Sequence, residues 1–195
     1  MAKAWAGAAA MRDGPVPVVG VVAPSGTGKT TLIARLVPAL TSRGWRVGYL
    51  KHSHHDIDLD VPGKDSYRIR ESGAAQTLLA SPGGWILQTS HAVSGARPAL
   101  AELVAQFDAA LIDLVLVEGF AGTHCPKIEV HRTNRGAPPL YPSDPCVLAV
   151  VTDGPLPQRP HPVTLPLDDV QTVAGFIETA LREGRFAGGA IHALS

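Results

Sequence analysis

The stretch VPVVGVVAPSGTGKTTLIARL, from Val16 to Leu36, constrains the fold more than any other part of the chain. Val16–Ala23 is a continuous β-branched run without polar alternation, the pattern of a strand buried on both faces. A loop holding Gly26 and Gly28 follows at once. Beyond it, KTTLIARLVPALTSRG sets Leu32, Leu36, Ala39 and Leu40 on one helical face and ends at Gly44. Pro38 sits inside that helix and should kink or loosen it.

The loop APSGTGKTT fits the spacing G-x-x-x-x-G-K-[ST], with Ala23, another small residue, in place of the first glycine. Gly26 and Gly28 let the backbone curl so that successive N–H groups converge on phosphate oxygens. The helix that begins near Lys29 adds the positive end of its dipole. The cradle therefore comprises Ser25, Gly26, Thr27, Gly28, Lys29, Thr30 and Thr31. Lys29 is directed at the β- and γ-phosphates, and the Thr30 hydroxyl at Mg²⁺.

Such a magnesium site needs an acid, and two strands end in one: LVLVEGF at Glu118 and VLAVVTD at Asp153. In open parallel sheets ligands gather at the carboxyl ends of the strands. Glu118 is the metal-side candidate, as a ligand or as the group that orients the attacking water. Asp113 opens the same strand at its far end and reads as structural. Asp153 suits a base-contacting place, where a carboxylate accepts from guanine N1–H and N2–H₂, a pair adenine does not offer. The guanine-reading NKxD is absent, since Val150, Val151 and Thr152 precede Asp153, so the residues only lean toward guanine.

Downstream, apolar runs alternate with helical segments. WRVGYLK is a strand, KDSYRIRESGA a short helix, and QTLLAS and GWILQTS two strands around PGG. RPALAELVAQF reads as a helix, KIEVHR and CVLAVVTD as strands, and LDDVQTVAGFIETALRE as a closing helix capped near Asp168. The expected fold is α/β: a three-layer P-loop NTPase fold with a mainly parallel sheet and a small antiparallel strand pair. One domain spans residues 16–184, with residues 1–15 a frayed extension and 185–195 an unpacked tail.

Composition narrows the function. Lys and Arg number 17, as do Asp and Glu, which argues against capture of nucleic acid or an acidic membrane surface. No apolar run reaches the roughly 18–20 residues of a membrane span. The two cysteines, Cys125 and Cys146, lack C-x-x-C spacing and suit a reducing cytoplasm.

Taken in order, the phosphate loop, KHSHHDIDLDVPGKDSYRIRESGAAQTLLAS, DLVLVEGF and PKIEVHR resemble the molybdopterin-guanine dinucleotide biosynthesis protein B family. The resemblance runs from about Val18 to Arg132, and more loosely through VLAVVTD and the final helix. That family is similar in fold to dethiobiotin synthetase and to relatives of the nitrogenase iron protein. The resemblance implies a homodimer that binds GTP with Mg²⁺ and hydrolyses it weakly. It also implies a partner, the molybdenum cofactor guanylyltransferase that joins GMP to molybdopterin, with molybdopterin itself a second candidate ligand. Gly28, Lys29, Thr30 and Glu118 carry over directly.

The segment KHSHHDIDLDVPGKDSYR leaves the second strand on the phosphate-loop side. Lys51 is placed to meet the nucleotide or a second anion. Asp56 is a candidate for the magnesium shell or for holding the attacking water, against a plain turn role. Lys64, Asp65, Arg68 and Arg70 offer either a grip on a pterin phosphate or an exposed helix laced by local ion pairs. His52, His54 and His55, with Asp56, also have the composition of a transition-metal site, and His124–Cys125 is a second pair. Two other functions thus stay open: a nucleotide-gated metallochaperone and an ATP-dependent ligase or kinase akin to dethiobiotin synthetase.

Overall fold

The computed structural model describes residues 15–53, 61–90, 98–157, 162–186 and 192–193. Its strands are β1 (Val18–Val22), β2 (Val47–Lys51), β3 (Gln76–Ser81), β4 (Gly84–Thr89), β5 (Leu114–Glu118), β6 (Thr123–His124), β7 (Lys127–His131), β8 (Val147–Thr152), β9 (Val163–Pro166) and β10 (His192–Ala193). The helices are α1 (Lys29–Thr41), α2 (Asp65–Glu71), α3 (Leu100–Val104) and α4 (Val170–Arg182). A 3-10 turn covers Thr133–Arg135. The sequence leads one to expect a single domain over 16–184. The chain divides into two compact units, one up to His52 and from Ala99 onward, the other from Ser53 to Pro98.

In the larger unit six strands form one sheet in the order β2-β5-β1-β7-β8-β9, every neighbouring pair parallel. β1 is buried at all of its residues. Alternation along the strands sends side chains to two layers. Val19 and Val21 join Leu116, Ile128 and Val151 against Leu32, Leu36 and Leu40 of α1 and Val173 and Ile177 of α4. Val18, Val115 and Val117 meet Leu100 and Val104 of α3 on the opposite face. The layers arise because each strand residue faces away from its neighbour.

Three details refine the sequence expectation. α1 continues unbroken through Pro38, because Leu36, Ala39 and Leu40 around it are all buried in the core that holds the turn. The cap of α4 is Asp169, whose side chain accepts from the Gln171 and Thr172 N–H groups. Asp168 instead offers its carbonyl to Arg35 Nη2 at 2.7 Å. Thirdly, the tail is not wholly unpacked. Phe186 is fully buried in the α1/α4 core and its carbonyl accepts from Val18 N. Further on, β10 pairs antiparallel with β6. A single aromatic among glycines and alanines leaves no periodicity from which to read such an anchor.

The smaller unit contains α2 and the antiparallel β3–β4 pair, in which Leu78 faces Leu87, Leu79 faces Ile86 and Ala80 faces Trp85. Leu78–Leu87 and Ala80–Trp85 lie on one face and Leu79–Ile86 on the other, so both faces are apolar. All five large side chains are exposed, Trp85 by 65% and Leu78 by 58%.

Phe186→Ala should lower unfolding stability by about 3 kcal/mol, the usual effect of emptying a buried aromatic site. Urea denaturation followed by far-UV circular dichroism checks this, and an unchanged midpoint would remove Phe186 from the core.

Candidate functional site

The phosphate loop leaves β1 at its carboxyl end, and both glycines take left-handed angles, Gly26 at φ 74° and Gly28 at φ 108°. Side chains other than glycine rarely adopt these values, so the curl depends on both. Thr27 is buried, and its hydroxyl donates to Pro24 O at 2.9 Å, closing the turn from inside. Ser25 and Thr31 are exposed, Ser25 on the loop and Thr31 in the first turn of α1. Lys29 lies back along the loop, its Nζ donating to Ala23 O at 2.7 Å and Pro24 O at 3.0 Å. Burial pushes the Lys29 ammonium below its ordinary value, the charge of Glu118 opposes this, and Lys51 adds to the depression.

Glu118 is the centre of the site. β5 pairs with β1 and β2 so that Val21 and Lys51 both stand beside Glu118. Its Oε1 accepts from the Thr30 hydroxyl at 2.8 Å, and its Oε2 from the Tyr49 hydroxyl at 2.6 Å. Lys51 Nζ lies 3.7 Å from Oε1. Burial alone would raise the carboxyl, and it is outweighed by the Tyr49 and Thr30 hydrogen bonds and by the charges of Lys51 and Lys29, which hold it below the ordinary carboxylate range. Tyr49 was not singled out by motif. Its phenol is pushed up to about 12 by burial, then by its bond to Glu118 and by that residue's charge. Although 42% of Tyr49 is exposed, its hydroxyl turns inward. The period-2 rule held the clue: Tyr49 and Lys51 share a face of β2.

Asp153 stands at the end of β8, as expected, with its carboxylate engaged by the chain. Oδ1 accepts from Thr133 N at 2.9 Å and Thr133 Oγ1 at 3.2 Å, and Oδ2 lies 3.4 Å from Arg132 Nη1. Asp113, at the other end of β5, binds Arg46 through both oxygens and is structural. The His52 ring lies 4.8 Å from that of Phe120, whose φ of 56° is unusual for a bulky residue. His54, His55 and Asp56 lie outside the described residues. His124 is not joined to Cys125 as a ligand pair: Cys125 is buried, and His124 Nδ1 lies 3.3 Å from Cys146 Sγ. No group of three side chains with metal-ligand chemistry forms among the described residues. In the smaller unit Arg70 lies 3.5 Å from Glu71 and over the Tyr67 ring at 4.9 Å, a local pairing.

A wholly parallel sheet with a glycine-rich loop at the carboxyl end of its central strand, running into a helix, defines a P-loop NTPase fold. Residues 18–153 match the model of the family described as molybdopterin guanine dinucleotide synthesis protein B, and the chain belongs to that family. The molybdopterin-guanine dinucleotide biosynthesis adapter protein of Escherichia coli K12 is 43% identical over 168 residues, covering 83% of this chain and 91% of that one. The adapter protein of the same name from Haemophilus influenzae is 41% identical over 166 residues, covering 85% and 90%. A crystal structure of molybdopterin-guanine biosynthesis protein B superposes with a TM-score of 0.65 at 28% identity, over 85% of this chain and 99% of that one.

The acid dependence of stability follows from Glu118. A carboxyl held low in the folded chain contributes stability above its unfolded value near 4.5, and that contribution is lost as pH falls through the lower folded value. Between about pH 6 and about pH 3 the wild type should therefore lose more stability than Glu118→Gln, whose amide does not titrate. Denaturant titrations at both pH values measure the difference, and parallel losses would contradict the depressed carboxyl.

Proposed function

We infer that the chain acts as an accessory protein in molybdopterin guanine dinucleotide synthesis, binding GTP with Mg²⁺ in the phosphate loop and hydrolysing it weakly beside the guanylyltransferase that joins GMP to molybdopterin. The observation that carries the nucleotide reading is the direct contact of Thr30 with Glu118 at the mouth of the loop. Both are hard oxygen donors of the kind Mg²⁺ selects, so the residues present fit that ion. When bound, Mg²⁺ would neutralise charge on the β- and γ-phosphate oxygens.

The chain's own groups divide the remaining work. Backbone N–H groups of residues 25–30 surround the phosphates, and Lys29 swings from its carbonyl partners to a phosphate oxygen. Glu118, fixed by Tyr49 and Thr30, would hold the ion or its water beside the cradle. Lys51 lies beside it and screens the concentrated negative charge. Glu118 would serve turnover more than binding, because its contacts are with Thr30 and Tyr49 and the ion it would hold, not with the phosphate chain.

Calorimetric titration with GTP and with ATP, each with Mg²⁺, tests the reading. GTP should bind more tightly than ATP, and Lys29→Ala should weaken GTP binding by about a hundredfold. Equal binding of the two bases would discard the guanine preference, and indifference to Lys29→Ala would discard the loop as the site.

We also infer that the chain is a homodimer joined through the β3–β4 hairpin. A two-stranded hairpin is marginal by itself, and this one exposes Leu78, Trp85 and Leu87 on one face and Leu79 and Ile86 on the other. A second copy supplies an identical apolar face with matched alternation. Trp85→Glu combined with Ile86→Glu should shift the mass measured by light scattering on a sizing column from dimer to monomer. A dimer that survives both changes would place the interface elsewhere.

A further inference from the structure

Arg132, the residue after β7, reaches the backbone of the phosphate loop. Its Nε donates to Thr27 O at 2.9 Å, and its Nη1 lies 3.4 Å from Asp153 Oδ2. A Cβ added at Gly28 would lie 3.6 Å from Arg132 Nη2, so the guanidinium lies alongside the glycine that precedes Lys29. Asp153 is itself immobilised by the N–H and hydroxyl of Thr133. Gly154 seals this corner, since a Cβ there would fall 2.8 Å from Thr133 Cγ2. A continuous chain of polar contacts therefore runs from the end of β8, through Asp153 and Arg132, to one carbonyl of the phosphate loop.

That carbonyl matters because of peptide geometry. Thr27 C=O and Gly28 N–H belong to one planar trans unit, so they point in opposite directions. Anchoring the oxygen on Arg132 fixes the N–H to point the opposite way, which on the triphosphate-binding reading is toward the phosphate. With glycines in left-handed conformation at 26 and 28, the peptide has few steric reasons to keep that orientation unaided. An arginine suits the task because its planar fork serves two acceptors at once, here a carbonyl and a carboxylate.

We propose that Arg132, oriented by Asp153, is a positioning residue that presets the Thr27–Gly28 peptide of the phosphate cradle, so that it favours any polyphosphate irrespective of the base attached. The proposal rests on the triphosphate-binding reading above. It gives Asp153 a task on the loop instead of one on guanine. The contact with Thr27 O also sets an arginine beside a loop whose own cation is Lys29.

The test is calorimetry of the full chain with GTP, ATP and inorganic tripolyphosphate, each with Mg²⁺, on wild type, Arg132→Ala, Arg132→Lys, Asp153→Asn and the Arg132→Ala/Asp153→Asn pair. Circular dichroism checks the fold of each, and Asp153→Asn carries the test if Arg132→Ala does not fold. Arg132→Ala should weaken all three ligands by a common factor of about ten, the loss of one charge-assisted hydrogen bond. Asp153→Asn should weaken all three in the same direction by a smaller factor. Arg132→Lys should recover only part of the loss, because an ammonium keeps the charge without the two-point grip. The double variant should be no weaker than Arg132→Ala, since both changes cut one chain of contacts. A loss confined to GTP in Asp153→Asn would return that residue to guanine reading and overturn the proposal. Full recovery in Arg132→Lys, or tripolyphosphate binding untouched by Arg132→Ala, would overturn it as well. Failure of the wild type to bind any of the three ligands would overturn the triphosphate reading, and the proposal with it.

Discussion

The register of β1 against β5 governs the site. Val21 pairs with Glu118 in the β1–β5 ladder, and Lys51 pairs with it from the other side in the β2–β5 ladder of the same sheet. Because strand side chains alternate between faces, a slip of one residue would turn Glu118 away from Thr30 and bring Val117 into its place. The register is held by burial: Leu114 to Val117 have no exposed surface, and each would carry an apolar side chain to the wrong layer if shifted. Glu118 and Thr30, 88 residues apart in sequence, thus come together through core packing.

Around this frame, buried charges secure the loops that edge the site. Lys127 is fully buried, and its ammonium bonds Ala121 O at 2.9 Å and Asp144 at 2.5 Å. Glu129, two residues on and on the same face, accepts the N–H groups of Leu140 and Tyr141. Burial pushes Glu129 up, and those two N–H bonds counter it. The charged residues of KIEVHR therefore tie the segment after β5 and the proline-rich segment before β8 to the sheet. A lone charge so deeply placed would be costly, and each here has hydrogen-bonding partners. Arg132 follows directly on the strand, so one short run supplies two internal ties and a contact to the phosphate loop.

Much of this was legible in the sequence, for reasons that differ from part to part. Strand–loop–helix order and the spacing of Gly26, Gly28 and Lys29 are local, and local signals survive without knowledge of the fold. Glu118 was readable because a buried strand ending in an acid points to the ligand side of a parallel sheet. Tyr49 and Arg132 were not singled out because their roles depend on which strands become neighbours, and the order β2-β5-β1-β7 is a property of the whole sheet. Phe186 and the pairing of β10 with β6 escaped because composition near a terminus says little about a single anchoring contact. The α4 cap, expected near Asp168, is Asp169, and only backbone geometry can separate two adjacent acids.

The posture of Lys29 has a consequence for the energetics of capture. Its ammonium already bonds two carbonyls of the loop it serves, and Thr30 already bonds Glu118. On the nucleotide reading, arrival of a phosphate is an exchange of partners rather than an addition of new ones. Much of the attraction between ligand and loop is offset by contacts surrendered within the chain, so the heat released understates the number of bonds formed. Affinity is then set by the difference between two well-satisfied states. Small changes in the surrounding cage therefore shift that difference disproportionately.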